Sequence, residues 1–245
     1  MRDASIPIGA TVIDFDGTIC PQDVSEEILQ EFAPPEWWEI DLEFQRGEIG
    51  SRECLVRQAA LLSGTRDAML EFALERFTLE PSFRPFVEWA RGVGIDVVVA
   101  SDGLGLYVEP MLRAAGIEDL SIYTNDTTLE DGQPAKFSFS NAHPICVGCG
   151  TCKMLVVLQR RKRSGPVAFV GEGHSDRYGA LYADLVFAKK HLIDICKQDG
   201  IAFRPWETFD DVRAELEKAE ELPGPVAPEP CPGWTWPADA PPKSI

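Results

Sequence analysis

The stretch VIDFDGTI at residues 12–19 places Asp14 and Asp16 one residue apart, directly after an apolar run. The run itself, ATVIDF, contains β-branched side chains and is typical of a buried strand. Two carboxylates just past a parallel strand can share a divalent cation, and a carboxylate can attack phosphorus as a nucleophile. Gly17 and Thr18 turn the chain and leave backbone N–H groups for a phosphate. An ordinary Asp-Gly turn has the same letters, so other features must decide.

Three more apolar runs repeat this design. They read GIDVVVASD at 94–102, GPVAFVGEG at 165–173 and ADLVFAK at 183–189. Continuous apolar strands are expected in a parallel sheet that is covered by helices on both faces. We therefore predict a doubly wound, Rossmann-like α/β core, with its polar residues at the carboxyl ends of the strands, where such sheets bind ligands.

The sequence between the first two strands is helical in pattern throughout, which is too much for a simple crossover. We predict that it forms an inserted, all-helical cap domain over residues 21–83. The α/β core then comprises residues 1–20 and 84–222. The remaining segment, 223–245, is rich in proline and is expected to be extended or disordered.

Composition limits the classes of function. The chain has 245 residues, 44% of them hydrophobic, and a net charge of −17 that repels nucleic acid and anionic lipid. No run of about 18 apolar residues suits a membrane span, and no signal-peptide pattern is visible. Seven cysteines in such a chain favour thiols or metal ligation over disulfides. We expect a cytoplasmic monomer or homodimer with no nucleic-acid or membrane partner.

Polar residues follow the second strand and begin a later helix. The hydroxyl of Ser101 and the amides of Asp102 and Gly103 are suited to hold a phosphoryl oxygen, although Ser-Asp-Gly alone is typical of a turn. Lys153 begins the helical segment KMLVVLQRRKR and could reach a phosphate at the sheet edge. A lysine without such a context is nearly always a solvated surface charge.

A second acidic pair follows the third strand. Glu172 and Asp176, in GEGHSD, could complete an oxygen-rich Mg²⁺ site with Asp14 and the main-chain carbonyl of Asp16. Taken alone, this pair also fits a helix N-cap. The features together, in this order along the chain, are specific.

The ordered set DFDGT, Ser101, Lys153 and GEGHSD resembles the haloacid-dehalogenase-like phosphohydrolases. The helical insertion directly after the first motif resembles their phosphoserine-phosphatase branch. Within that branch, residues 171–192 and the cysteine-rich run before Lys153 look most like the methionine-salvage phosphatases, which act on a methylthio-ketopentenyl phosphate. The resemblance covers roughly residues 8–215.

The resemblance implies Mg²⁺-dependent hydrolysis of a small phosphorylated metabolite through an aspartyl-phosphate. Asp14 would be the nucleophile, and Asp16 the general acid that then acts as base. Ser101 and Lys153 would clamp the phosphoryl oxygens, and the hydroxyl of Thr18 follows the family pattern. Family members that cleave carbon–halogen bonds lack the second acid, so its presence favours a phosphohydrolase.

Two acidic positions depart from the family pattern or have more than one interpretation. The family usually has Asp where Glu172 stands, and the longer side chain is expected to shift Mg²⁺ coordination toward Asp176 or to insert a water. Asp23 lies at the cap entrance, where amino-acid phosphatases of this branch use an acid to bind the substrate ammonium. A helix N-cap is the other interpretation of Asp23.

A cysteine-rich motif precedes Lys153. In HPICVGCGTCK the spacing of the Cys and His side chains suits a structural Zn²⁺ site, and it equally suits reduced thiols or a redox pair. The residues concerned are His143, Cys146, Cys149 and Cys152.

Two other functions remain open from the sequence. One is a non-catalytic or scaffold relative of the same fold, although retention of both Asp14 and Asp16 speaks against it. The other is a phosphotransferase with an acceptor other than water. Phosphoserine, a sugar or polyol phosphate, and a methylthio-ketose phosphate are not separable as substrates at this stage.

Overall fold

A computed structural model of the protein describes residues 6–129 and 135–226. Most of the proline-rich segment predicted at 223–245 lies outside these ranges. The strands in the described ranges are β1 (Ala10–Ile13), β2 (Asp96–Ala100), β3 (Ser121–Tyr123), β4 (Asp126–Thr128), β5 (Lys136–Ser138), β6 (Val167–Gly171), β7 (Leu185–Ala188) and β8 (Phe203–Pro205).

Four helices follow β1 as one long insertion, and the others alternate with the later strands. None of the helices in the described ranges is long and apolar enough to cross a membrane. The helices are α1 (Val24–Phe32), α2 (Trp37–Gln45), α3 (Ser51–Ala59), α4 (Arg66–Arg76), α5 (Phe83–Val93), α6 (Val108–Ala114), α7 (Lys153–Ser164), α8 (Arg177–Tyr182), α9 (His191–Asp199) and α10 (Phe209–Lys218).

The main sheet is parallel, with the strand order β3-β2-β1-β6-β7-β8. Strand β1 lies near its middle, where Ile13 pairs with Val99 of β2 on one side and with Val170 of β6 on the other. The residues that follow these three strands therefore meet at one edge. This edge is the switch point at which doubly wound sheets bind ligands.

Helices cover both faces of the sheet. Helices α7, α8 and α9 pack on one face in a core that includes Met154, Phe169 and Leu181. Helices α5 and α10 pack on the other face, around Phe86 and Val212. Because both faces are buried there, the central strands β1, β6 and β7 are buried along their whole length, and the predicted doubly wound α/β class is confirmed.

The helical insertion packs partly against the sheet and partly on itself. Helices α1 and α4 join the main core through Ile28 and Met69, whereas α2 and α3 share a small core around Ile40, Ile49 and Cys54. The insertion therefore has a small core of its own, and its other helices pack into the main core. Its treatment as a separate cap over 21–83 stays a prediction.

Candidate active site

The first acid of the motif lies directly beyond β1. The Asp14 N–H donates to the Val170 carbonyl at 3.0 Å, which continues the pairing with β6 for one more residue. Ser101 follows β2, and Glu172 follows β6. Strand pairing therefore brings three of the predicted site positions to one edge.

A buried lysine joins two of the predicted acids. The Lys153 Nζ donates to Asp14 Oδ1 and to Asp176 Oδ1, each at 2.6 Å, and to Ser175 Oγ at 3.0 Å. The lysine is only 1% exposed, and burial of an ammonium requires such partners. Thr18 Oγ1 donates to the other oxygen of Asp14 at 3.3 Å. The interpretation of Lys153 as a solvated surface charge is therefore wrong.

Negative charge exceeds positive charge around Asp14. Burial and the charge of Asp176 raise the pKa of Asp14 well above its ordinary value, and Lys153 only partly opposes them. For Lys153, burial lowers the pKa, but the charges of Asp14 and Asp176 raise it overall. Asp176 also accepts the N–H groups of Glu172 and Gly173 at 2.8 and 2.9 Å. Two buried carboxylates, Asp14 and Asp176, therefore share one ammonium.

The second acid has uncharged partners. Asp16 accepts the Val24 N–H at 3.0 Å, and the Tyr107 hydroxyl donates to its two carboxyl oxygens at 2.8 and 2.7 Å. The Ser101 hydroxyl lies 3.4 Å from Asp16 Oδ2. Burial raises the pKa of Asp16 to about 6. Asp16 can therefore hold a proton close to neutral pH.

The loop after β2 brings its backbone close to Asp16. A Cβ at Gly103 would lie 2.5 Å from Ser25 Oγ and 2.7 Å from Asp16 Oδ2, so this close approach favours glycine. The Gly103 N–H donates to Ser101 Oγ at 3.2 Å. Ser101 and Gly103 therefore lie beside the acid pair, as their predicted phosphate-binding role requires.

Asp102 lines the cavity, and protein donors bind its carboxylate. It accepts the Thr151 N–H at 2.7 Å, the Asn125 side-chain amide at 3.2 Å and the Ser51 hydroxyl at 2.5 Å. Ser51 begins α3, and Thr151 belongs to the cysteine-rich loop. The carboxylate of Asp102 therefore joins three segments, and binding of a phosphoryl oxygen by its backbone amide stays a prediction.

Asp23 lines the cavity and also caps α1. Its side chain accepts the Glu26 N–H at 2.9 Å, which is the N-cap interaction considered from the sequence. The Asp23 side chain is exposed where it lines the cavity. The capping role is present in the structure, and substrate binding by Asp23 stays a prediction.

The donor set suits Mg²⁺ in its chemistry. Asp14 and Asp176 each lie one hydrogen bond from the same ammonium, they supply hard oxygen donors, and the charge deficit around them favours a cation. Glu172 is paired with Lys190, whose Nζ lies 3.0 Å from Oε2. Over residues 6–129 and 135–226, no three or more His, Cys, Asp or Glu side chains are arranged to hold a metal ion. Lys153 explains why Asp14 and Asp176 form no such group, because one carboxyl oxygen of each accepts a hydrogen bond from its Nζ.

The cysteine-rich loop is built around backbone contacts. His143 Nδ1 accepts the N–H groups of Ile145 and Cys146 at 3.2 and 3.1 Å, and the Gly148 N–H donates to the Cys146 sulfur at 3.3 Å. Within the described ranges, this loop holds no group of side chains arranged around a metal position either. Zinc binding by His143 and the three cysteines stays a prediction, which metal analysis of the purified protein decides.

A cavity of about 320 Å³ opens onto the acids. The insertion contributes apolar and aromatic side chains to its wall, and the segment after β6 contributes His174, whose ring lies 6.4 Å from Phe44 and 5.3 Å from His191 between centroids. Other residues that line the cavity from the insertion are Ser25, Leu29, Trp37, Ser51 and Leu55.

Two residues around the site carried no signal in the sequence. Ser25 belongs to a helical segment of ordinary composition, and Tyr107 has no motif around it. His174 and His191 lie in the stretch 171–192 that carries the family resemblance, but that resemblance assigned them no role. A buried tyrosine needs a partner for its hydroxyl, but only the side-chain contacts show that this partner is Asp16.

Comparison with known proteins agrees with this geometry. The sequence model of the haloacid dehalogenase-like hydrolases matches residues 11–180, and the chain belongs to this family. Among similar proteins, the 2-hydroxy-3-keto-5-methylthiopentenyl-1-phosphate phosphatase of Bacillus cereus is 30% identical over 85% of this chain and 96% of its own length. The enzyme of the same name from Bacillus pumilus is 29% identical over 85% and 91%.

Solved structures show the same fold. A phospho-aspartyl intermediate analogue of phosphoserine phosphatase has a TM-score of 0.64 and 19% identity, over 87% of this chain and 99% of its own. A substrate-bound phosphoserine phosphatase has a TM-score of 0.66 and 18% identity over the same shares. At this identity the likeness concerns the fold alone, and the predicted phosphoserine-phosphatase-like architecture is confirmed.

Proposed function

We propose that the protein is a Mg²⁺-dependent phosphatase that hydrolyses a small phosphomonoester through a phosphoryl group carried on Asp14. One observation carries this proposal. A buried carboxylate at the end of the central strand is bound by a buried ammonium at 2.6 Å, and a second acid with a raised pKa lies two residues further on. This pairing of a nucleophile with a proton donor supports phosphoryl transfer.

The first step forms the intermediate. A carboxylate oxygen of Asp14 attacks phosphorus while the bond to the ester oxygen breaks, and Asp16 gives its proton to the departing oxygen. Lys153 and Ser101 bind the phosphoryl oxygens and stabilise the charge that develops there. The product alcohol leaves with the proton from Asp16.

The second step returns the enzyme to its starting state. Asp16, now ionised, takes a proton from a water molecule, which attacks phosphorus as the bond to Asp14 breaks. Inorganic phosphate leaves, and Asp16 is again protonated. The hydroxyl of Thr18 stays within reach of Asp14 in the structure and is suited to orient its carboxylate.

Asp14, Asp176 and the Asp16 main-chain carbonyl would hold Mg²⁺, with Glu172 binding it directly or through water. When bound, the cation supplies positive charge that neutralises the phosphate and keeps Asp14 ionised. The charge deficit at Asp14 supports this assignment.

The substrate is proposed to be a small metabolite with a partly apolar carbon chain. The cavity of about 320 Å³ suits a small ligand, and Leu29, Trp37 and Leu55 give part of its wall an apolar surface, beside the carboxylates of Glu26 and Asp41. The relatives at 29–30% identity are named for a methylthiopentenyl phosphate. A methylthio-ketose phosphate is therefore the first compound to test, before phosphoserine and polyol phosphates.

Phosphate release by the purified protein tests the proposal. A panel of phosphomonoesters is assayed with Mg²⁺ and with a chelator, beside Asp14→Asn. Metal-dependent release that is lost in the variant supports the proposal. If a folded protein releases no phosphate from any compound of the panel, the result favours a non-catalytic relative. Faster turnover on adding an alcohol, with a new phosphate ester formed, favours a phosphotransferase.

A further inference from the structure

Tyr107 makes the closest contacts to the second acid. Its hydroxyl lies 2.8 and 2.7 Å from the two carboxyl oxygens of Asp16 and 2.6 Å from the hydroxyl of Ser25. The tyrosine has no solvent exposure, so it cannot touch a substrate in the cavity. Any effect that it has on the reaction must pass through Asp16.

The hydrogen bonds around Tyr107 form a chain with one direction. The Leu104 N–H donates to Ser25 Oγ at 3.0 Å. Because an ionised Asp16 can only accept, the single proton of the Tyr107 hydroxyl goes to Asp16, and the Ser25 hydroxyl then donates to Tyr107. The hydroxyl that donates to Asp16 is therefore itself held by the hydroxyl of Ser25.

The surroundings hold this arrangement in place. The Tyr107 ring packs against Phe15, the residue between the two acids, with ring centroids 5.8 Å apart. At Gly103, a Cβ would come within 2.9 Å of the tyrosine oxygen and 2.7 Å of Asp16 Oδ2. The backbone of the loop after β2 therefore lies close against both groups.

We propose that Tyr107 is a positioning residue for the general acid Asp16, and that Ser25 connects it to the helical insertion. This inference rests on the proposed function, in which Asp16 protonates the leaving oxygen. The terminal torsion of an aspartate is broad, so hydrogen bonds decide which way its carboxyl group faces. Tyr107 contacts both carboxyl oxygens of Asp16, and the Val24 N–H binds Oδ1, so these contacts fix the orientation of a carboxyl group that lines the cavity.

A core tyrosine with a satisfied hydroxyl has the same contacts, so the test must respond to protonation of the leaving group. Alkyl alcohols need a proton to depart from phosphorus, whereas nitrophenol needs little help. A positioning role for Tyr107 predicts a loss that depends on the leaving group. A purely structural role predicts the same loss for every substrate.

The experiment measures kcat/KM of the full-length protein with Mg²⁺ for an alkyl phosphomonoester and for p-nitrophenyl phosphate. Tyr107→Phe removes only the hydroxyl and keeps the ring against Phe15. We expect a loss of about 10- to 100-fold on the alkyl ester, a fraction of the general-acid effect, and a loss of only a few-fold on the nitrophenyl ester. Ser25→Ala is expected to change the ratio in the same direction by a smaller factor.

Tyr123→Phe is the matched control, because the Tyr123 hydroxyl accepts from Arg160 at 2.8 Å, away from the acids. It should leave the substrate ratio unchanged. Adding Tyr107→Phe to the Asp16→Asn variant should lower kcat/KM little further, because both substitutions remove the same function, protonation of the leaving oxygen. Equal losses by Tyr107→Phe on both esters, no loss, or additive losses with Asp16→Asn would each overturn the inference while leaving the proposed function intact. If the wild type has no Mg²⁺-dependent turnover, both fail.

Discussion

Asp14 and Asp16 are the same chemical group, one residue apart, yet their surroundings differ. Asp14 is bound by a buried ammonium and lies near the charge of Asp176, so burial and then these charges shift its pKa. Asp16 is bound by an amide of the insertion and by a tyrosine hydroxyl, both uncharged. The motif supplies two acids, and the elements packed around them assign different chemistry to each.

The largest effect is expected at the nucleophile. Asp14→Asn should lower kcat by about 10⁴-fold or more on every phosphomonoester, because no side chain replaces the attacking oxygen. The fold should persist, since Asn has the same shape and its neutral amide relieves the repulsion from Asp176. Steady-state rates and thermal melting measure the two parts. A rate within tenfold of the wild type would show that Asp14 is not the nucleophile.

The second largest effect is expected at Asp16, the proposed general acid. Asp16→Asn should lower kcat/KM about 10²- to 10⁴-fold on an alkyl ester, because the leaving oxygen loses its proton donor. On p-nitrophenyl phosphate the loss should be much smaller, unlike the loss in Asp14→Asn. The ratio of the two substrates measures this directly. An equal loss on both would place Asp16 in the same role as Asp14.

Lys153 tests the charged half of the site. Lys153→Met should lower kcat about 10²- to 10³-fold by removing a phosphate donor, and should destabilise the fold by about 3–5 kcal/mol by leaving two buried carboxylates without their partner. Lys190→Met is the control. Its ammonium is half exposed and pairs with Glu172, so its effect on stability should be about 1 kcal/mol or less. Equal denaturation midpoints for the two variants would contradict the assigned role of Lys153.

The smallest effect concerns the contact between the insertion and the sheet edge. Ser51→Ala removes the hydroxyl that donates to Asp102. It should raise KM a few-fold and destabilise the protein by about 1 kcal/mol, the contribution of one hydrogen bond. Ser63→Ala is the control, because its hydroxyl donates to the Phe32 carbonyl in an exposed position. An unchanged KM would show that the insertion closes the cavity without this contact.

The charged contacts of the site, around Asp14 and Lys153, could be predicted from the sequence. The uncharged contacts around Asp16 could not. Asp14 and Ser101 each follow an apolar strand, and parallel strands bring such residues to one edge. Lys153 and Asp14 are 139 positions apart, but both begin or end recognisable elements in a known order. The fold class, the order of motifs and the buried lysine could therefore be inferred from spacing.

Tyr107 and Asp16 are 91 positions apart, and no pattern links them. Their contact depends on the path of the loop after β2, where a Cβ at Gly103 would lie 2.9 Å from the Tyr107 oxygen and 2.7 Å from Asp16 Oδ2. Binding of a phosphoryl oxygen by the backbone amide of Asp102 stays a prediction, whereas the contacts of its carboxylate with protein donors had no signal in the sequence. Side-chain orientation in loops comes from tertiary packing, which local sequence does not encode.

The different roles of Asp14 and Asp16 are tested most directly by trapping the aspartyl-phosphate intermediate. Wild type, Asp14→Asn and Asp16→Asn are quenched in acid during turnover of p-nitrophenyl phosphate with Mg²⁺, and the peptide that contains residues 12–19 is analysed by mass spectrometry. We expect a phosphoryl group on Asp14 in the wild type, more of it in Asp16→Asn because hydrolysis lacks its base, and none in Asp14→Asn. A phosphoryl group that persists in Asp14→Asn, or turnover with none on any variant, would contradict the account.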